Sequence, residues 1–300
     1  MLPAIHVEGP ALVDATGKRF NYVGVSDFAL FKRWLMPNGP SALVKPRLEE
    51  WKRLASDGGY TGPIVLRIFR YAGPWNVFGI TDPWSYDFNE VRLFTHFCGD
   101  RGFYVDWTCG DSQAVLPNPA GPKGQQQHLN EFVSALVPCS NAFVQTCNEP
   151  FKNGIDVGQV VPPVWGSRLR SSGYYTDAGP WNHTLDLDFI DFHPDRSMDG
   201  PVPKWVGKAF ESAVYLMPFG KPIVYAEPIG ADEVNRGGSR SNNPDYFRML
   251  GLSIGLVAGV TFHSQMGVIG DRLGPIQSRC ATEFFHGVKC GSGSRVPLIP

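Results

Sequence analysis

The sequence predicts an α/β chain: a (β/α)8 barrel of eight parallel strands wrapped by helices, with a small N-terminal β-hairpin. Three observations carry that prediction. β-rich apolar runs alternate with amphipathic segments along the chain, the pattern of a parallel sheet covered by helices. The chain has 300 residues, enough for one barrel of about 250 residues with added loops. Two of the apolar runs, Ala142-Phe-Val-Gln145 and Pro222-Ile-Val-Tyr225, are each followed within four residues by a glutamate, Glu149 and Glu227, and the carboxyl ends of barrel strands are where such folds build sites.

The elements follow in order. Ile5 to Arg19 reads as a hairpin turning at Asp14-Ala-Thr-Gly17, placed to cap the barrel bottom. Strand one is Phe20–Val25, and Leu48–Ser56 is a helix with Trp51 and Leu54 on one face. Strand two is Ile64–Phe69, then a helix at Asn89–Phe97 and strand three at Phe103–Trp107. Gln125–Leu136 is the helix before strand four, Ala142–Thr146. Strand five is placed at Ser167–Ser171, after a stretch holding Pro162 and Pro163 and no clear helix. Strand six is Leu187–Phe192. The next helix is Trp205–Leu216, with Val206, Ala209, Phe210 and Ala213 at the spacing of one helical face. Strand seven is Ile223–Ala226, followed by a helix at Tyr246–Ile254, strand eight at Val257–Phe262 and a closing helix at Thr282–Val288. An open doubly wound sheet is the rival, but it usually carries a glycine-rich phosphate turn after its first strand. Val23-Gly-Val-Ser-Asp27 is not one. No linker interrupts the pattern, so residues 1–300 are read as a single domain.

Composition excludes several classes. Hydrophobic residues are 43% and charged residues 18%, suited to a packed globular chain. The net charge of -1 gives no footprint for nucleic acid. No apolar run approaches the roughly 18 residues that cross a bilayer, so no membrane association is expected. No secretory signal is visible at Met1-Leu-Pro-Ala-Ile-His6, so a cytoplasmic protein or a mature secreted form is expected. The six cysteines form no CxxC pair, which argues against structural zinc and for free buried thiols.

The chemistry sits in Asn148-Glu149-Pro150 and Glu227-Pro228. Two carboxylates on different strands are the minimum equipment for breaking a glycosidic bond, and a retaining mechanism needs them about 5–5.5 Å apart. One must hold a proton while the other is ionised, so their surroundings must differ. Arg67 lies inside strand two, in Val65-Leu-Arg-Ile-Phe69, and Arg70 is the competing arginine three residues on. Asp106-Trp107 ends strand three, and Trp75, Trp84, Trp165 and Trp181 fall in loops where rings could stack on sugars. His193 ends strand six. Tyr225 is two residues before Glu227 and reads as facing the same side.

Asn-Glu at the end of strand four with a glutamate at the end of strand seven resembles clan A of the glycoside hydrolases, the retaining (β/α)8 enzymes that include family 5 cellulases and mannanases. The hairpin with Asp14-Ala-Thr-Gly-Lys18 matches that group too. The resemblance implies Glu149 as general acid/base and Glu227 as nucleophile. It implies Asn148 on the sugar 2-hydroxyl, Arg67 beside the nucleophile and His193 lining the site. Trp107, Tyr225 and His263 are the further expected substrate contacts. The family's tyrosine two residues after the histidine is Asp195 here, and its tryptophan after strand eight is replaced by Phe262-His263-Ser264-Gln265. The resemblance implies a carbohydrate substrate, no metal and no cofactor. A non-catalytic carbohydrate-binding barrel is the alternative. Metal-assisted hydrolysis through His183, Asp186, Asp188, Asp191, His193 and Asp195 is a third reading.

Overall fold

The computed structural model describes residues 2–70, 88–110, 121–150, 154–164, 169–171, 187–193, 213–227, 243–263 and 273–293. Strands β1 (Ile5–Glu8) and β2 (Ala11–Asp14) pair as an antiparallel hairpin. The chain reverses between them at Gly9-Pro10 rather than at the expected Asp14-Ala-Thr-Gly17. That second turn follows β2, leads to a bridge between Val13 and Arg19, and is tied by Asp14 Oδ1, which accepts from Thr16 N at 2.9 Å and Lys18 N at 3.1 Å. Gly17 supplies the positive φ of 78° that the turn requires.

Eight parallel strands follow: β3 (Tyr22–Ser26), β4 (Ile64–Phe69), β5 (Phe103–Thr108), β6 (Ala142–Gln145), β7 (Arg170–Ser171), β8 (Ile190–Phe192), β9 (Ile223–Tyr225) and β10 (Gly259–Phe262). Their order is β7-β6-β5-β4-β3-β10-β9-β8, the cyclic order of a (β/α)8 barrel read from one seam. β7 and β8 meet at that seam through Asp188 N donating to Arg170 O at 3.1 Å. The Arg170 guanidinium adds an ion pair to Asp188 at 2.9 Å.

The strands alternate faces. Tyr22, Val65, Tyr104, Phe143, Leu169, Phe189, Val224 and Ala258 point inward and form the lower layer with Ile5, Leu12 and Phe20. The hairpin therefore plugs the amino-terminal end of the barrel. Gly24 is required above Tyr22, because a Cβ there would lie 2.5 Å from Thr261 Oγ1.

Outward residues pack on helices α1 (Leu30–Trp34), α2 (Lys45–Asp57), α3 (Phe88–Gly99), α4 (Gly121–Leu136), α5 (Pro244–Leu252) and α6 (Pro275–Gly293). α5 starts at Pro244, with the Asn243 side chain accepting from Asp245 N at 3.0 Å. α5 and α6 cross closely at Gly251 and Gly287; a Cβ on either would fall within 2.2 Å of a backbone oxygen of the other helix. Of the six cysteines five are buried and Cys290 is exposed. No helix among the described residues is long and apolar enough to cross a membrane.

The expected strands all correspond to observed ones, with shifts. The first begins at Tyr22, and the described part of the fifth is only Arg170–Ser171. The last helix is much longer than Thr282–Val288. The short helix α1 and the π-helical turn Pro40–Val44 were not foreseen. Of the expected helix Trp205–Leu216, residues 213–216 are helical and the rest lie outside the described residues.

Candidate active site

Glu149 and Glu227 follow β6 and β9 and face one another at the carboxyl-terminal mouth. One carboxylate oxygen of each, together with a ring nitrogen of His193, lies within 4.8 Å of the others. All three side chains are buried. Glu149 has φ 46°, a left-handed conformation that a non-glycine residue adopts at a cost. It also precedes Pro150, which restricts its backbone further.

Arg67, on the inward face of β4, ties the mouth together. Its Nη1 donates to Glu227 Oε1 at 2.5 Å, its Nη2 to Asn148 Oδ1 at 2.9 Å and its Nε to Gln145 Oε1 at 3.2 Å. The guanidinium lies 5.3 Å from the Phe69 ring centroid and 5.8 Å from that of Phe28. Burial acts against the cation, but Glu227, Asp191 and Asp106 outweigh it and push the Arg67 pKa up. Arg67 therefore stays charged and biases Glu227 toward its ionised form.

His193 is fully buried, with Nδ1 3.7 Å from both Glu149 Oε1 and Glu227 Oε2. His263 Nε2 stands 4.0 Å from Glu227 Oε2, and its ring is 5.2 Å from that of Phe28. Beneath the mouth lies a polar layer that the sequence reading largely missed. Asp106 Oδ2 accepts from Tyr22 Oη at 2.7 Å and from Gln145 Nε2 at 3.0 Å. Thr108 Oγ1 donates to Gln145 Oε1 at 2.8 Å. Burial drives the Asp106 carboxyl up to about 6 despite the hydrogen bonds and Arg67. Burial likewise holds Asp191 well above the carboxylate range, against the pull of Arg67.

The structure brings Glu149, Glu227, Asn148, Arg67, His193 and His263 together, and corrects the other expectations. Trp107 faces away from the barrel interior. It packs against Phe31, Phe94 and Phe132 at 4.9–5.5 Å between centroids, with Nε1 bonded to Thr95 Oγ1 at 3.0 Å. Pleating decides this: Asp106 takes the inward position, so its neighbour is outward. Tyr225 is outward for the same reason, since Val224 belongs to the inner layer; it packs 6.0 Å from Phe192. The strand ends at Tyr225, so the two-residue rule does not carry over to Glu227. Asp106 is a lower-layer group rather than a sugar contact. Arg70 turns outward over Phe88 and Phe132.

No group here is assigned as a metal ligand, because the Arg67 guanidinium already supplies the positive charge at Glu227. In the metal-assisted reading, Asp188 pairs with Arg170 while Asp191 and His193 point inside. His183, Asp186 and Asp195 lie outside the described residues, as do Trp75, Trp84, Trp165, Trp181, Ser264 and Gln265.

No protein-family model matches the chain, and no curated protein matches it by sequence. Solved structures do. The exo-β-1,4-mannosidase Op5Man5 from Opitutaceae bacterium strain TAV5 has TM-score 0.65 and 14% identity, covering 98% of this chain and 63% of its own. A family 5 glycoside hydrolase from Bacteroides vulgatus ATCC 8482 has TM-score 0.59 and 15% identity, over 89% of this chain and 64% of its own. A β-mannanase from Streptomyces thermolilacinus, solved with mannohexaose, has TM-score 0.54 and 14% identity, over 98% and 97%. The chain thus spans just under two thirds of the first two proteins. At these identities the likeness is one of fold: the chain has the (β/α)8 barrel of these glycoside hydrolases.

Proposed function

We propose that this chain is a retaining β-glycoside hydrolase acting on β-linked oligo- or polysaccharides. The observation that carries the reading is the carboxylate pair: Glu149 and Glu227 present oxygens within 4.8 Å of each other, and Glu227 accepts from Arg67 Nη1. A separation of about 5–5.5 Å suits nucleophilic attack, whereas inversion needs about 6.5–9.5 Å to admit a water.

In the first step the Glu227 carboxylate attacks the anomeric carbon while Glu149 gives its proton to the departing glycosidic oxygen. The C–O bond breaks and a glycosyl ester forms on Glu227. In the second step Glu149 takes a proton from water, whose oxygen displaces Glu227 and regenerates its carboxylate. Asn148, which accepts from Arg67, meets the sugar 2-hydroxyl in this reading. No metal or organic cofactor enters these steps. The neighbours' names make β-1,4-linked manno-oligosaccharides the first substrates to test. The presence of both glutamates, brought together, favours catalysis over a purely sugar-binding barrel.

The test is labelling with a panel of 2-deoxy-2-fluoro glycosides followed by peptide mass mapping. A glycosyl adduct on Glu227 is expected. Sugar binding without an adduct or product from any member would support the binding barrel instead.

A further inference from the structure

Asp191 occupies the inward position of β8, between the outward Ile190 and Phe192. It is buried, and Ser171 Oγ on β7 donates to its Oδ2 at 3.5 Å. Its other oxygen, Oδ1, makes no hydrogen bond among the described residues and lies 3.8 Å from His193 Nε2. The imidazole is therefore flanked by carboxyl groups on both edges: Asp191 at Nε2, and Glu149 and Glu227 at Nδ1.

We propose that Asp191 is a positioning residue that shares a proton with His193 across Nε2 and so makes Nδ1 an N–H donor aimed between Glu149 and Glu227. A neutral imidazole carries one N–H, and the partner of one nitrogen decides the state of the other. Two carboxyl groups face Nδ1, and a lone pair there would be repelled by whichever is ionised. Nδ1 becomes a donor when Asp191 gives its proton to Nε2 or holds it in common with the ring. Both forms contain the same protons, so nothing is gained or lost. Burial, which holds Asp191 protonated over a wider pH range than an ordinary carboxylate, acts in the same direction. The separations of 3.7–3.8 Å are longer than working hydrogen bonds, as catalytic contacts in unliganded sites often are.

The consequence for turnover rests on the glycosidase reading above. In that cycle the negative charge alternates: Glu227 carries it at rest, and Glu149 carries it in the glycosyl-enzyme. A donor at equal distance from both serves each charge in turn.

The test has a readout in the resting protein. With 15N-histidine labelling, long-range 1H–15N correlations, assigned with His193→Gln, report which nitrogen of His193 bears the proton near neutral pH. Protonated Nδ1 is expected. In Asp191→Ala the signature should move toward the Nε2–H tautomer, and kcat should fall roughly tenfold or more with little change in KM. Asp191→Asn, whose amide can donate to Nε2, should restore both. An unprotonated Nδ1 in the native protein, or an unaltered tautomer in Asp191→Ala, would overturn the proposal. The native spectrum decides even if the variants do not fold. If no glycoside is hydrolysed and Glu227 takes no label, the glycosidase reading fails while the spectrum still judges Asp191.

Discussion

Arg67 Nη1 and Glu227 Oε1 are 2.5 Å apart although their strands, β4 and β9, are separated in the barrel by β3 and β10. The contact spans the barrel mouth rather than a strand pair, and both side chains are shielded from water. Removing one partner leaves a buried charge without its counterion. Arg67→Met should therefore destabilise the fold by about 3–5 kcal/mol, read from the urea midpoint, and abolish turnover. A loss in kcat with no loss of stability would mean that the pair is less buried than it stands here.

Glu149 separates strain from chemistry. Its φ of 46° costs an L-residue about 1–2 kcal/mol that glycine does not pay. Glu149→Gly and Glu149→Ala should both lose activity toward unactivated glycosides. The glycine variant should nevertheless be the more stable of the two by about 1 kcal/mol, measurable in thermal or urea unfolding. Equal stabilities would show that the turn relaxes when the carboxylate is gone.

Trp107 provides a control for the corrected site. Its indole is clamped between strand β5 and helices α1, α3 and α4. Trp107→Ala should cost about 3–5 kcal/mol of stability, whereas Trp107→Phe should leave KM for oligosaccharides unchanged. A marked rise in KM for the phenylalanine variant would return this residue to the sugar-binding surface.

Asp106 predicts a pH dependence. Its carboxyl titrates at about 6 when folded, above the ordinary value near 3.9. Between those two values the folded state binds more protons than the unfolded chain, so this group's contribution to stability falls as pH rises through that window. A shift of about two units corresponds to roughly 3 kcal/mol. Asp106→Asn should flatten the stability profile between about pH 4 and 6 by an amount of that order; an unchanged slope would assign it to other groups.

Much of this architecture was legible in the sequence because parallel strands announce themselves as apolar runs, and glutamates placed at their ends need no side-chain geometry to be noticed. Arg67 was legible through the resemblance, which sets an arginine of strand two beside the nucleophile. What failed was facing. A fully buried strand has no polar side to reveal which residues look inward, so Trp107 was assigned by its place at the strand end, and Tyr225 by a parity with Glu227 that fails because the strand ends at Tyr225. The lower polar layer gave a signal that only parity decodes: Asp106, Gln145 and Asp191 are polar residues within apolar strands, and each shares its face with an inner-layer aromatic or small residue of its neighbours. The backbone of Glu149 was not foreseeable, since neither Asn148 nor Pro150 requires a positive φ before it.

The seam between β7 and β8 bears on the site as well as on closure. Among the described residues, the Asp188–Arg170 backbone hydrogen bond and the Arg170–Asp188 ion pair join the two edges, and Ser171 on one edge reaches Asp191 on the other. Spreading this joint would draw Asp191 away from Ser171 before any longer ladder, such as the six-residue pairing of β4 with β5, had to part. Among the described strands, the joint with the shortest ladder is the one on which Asp191 stands. Amide exchange at Asp188 is expected to outpace that in β4 and β5, and its rate would measure how often the support behind His193 lets go.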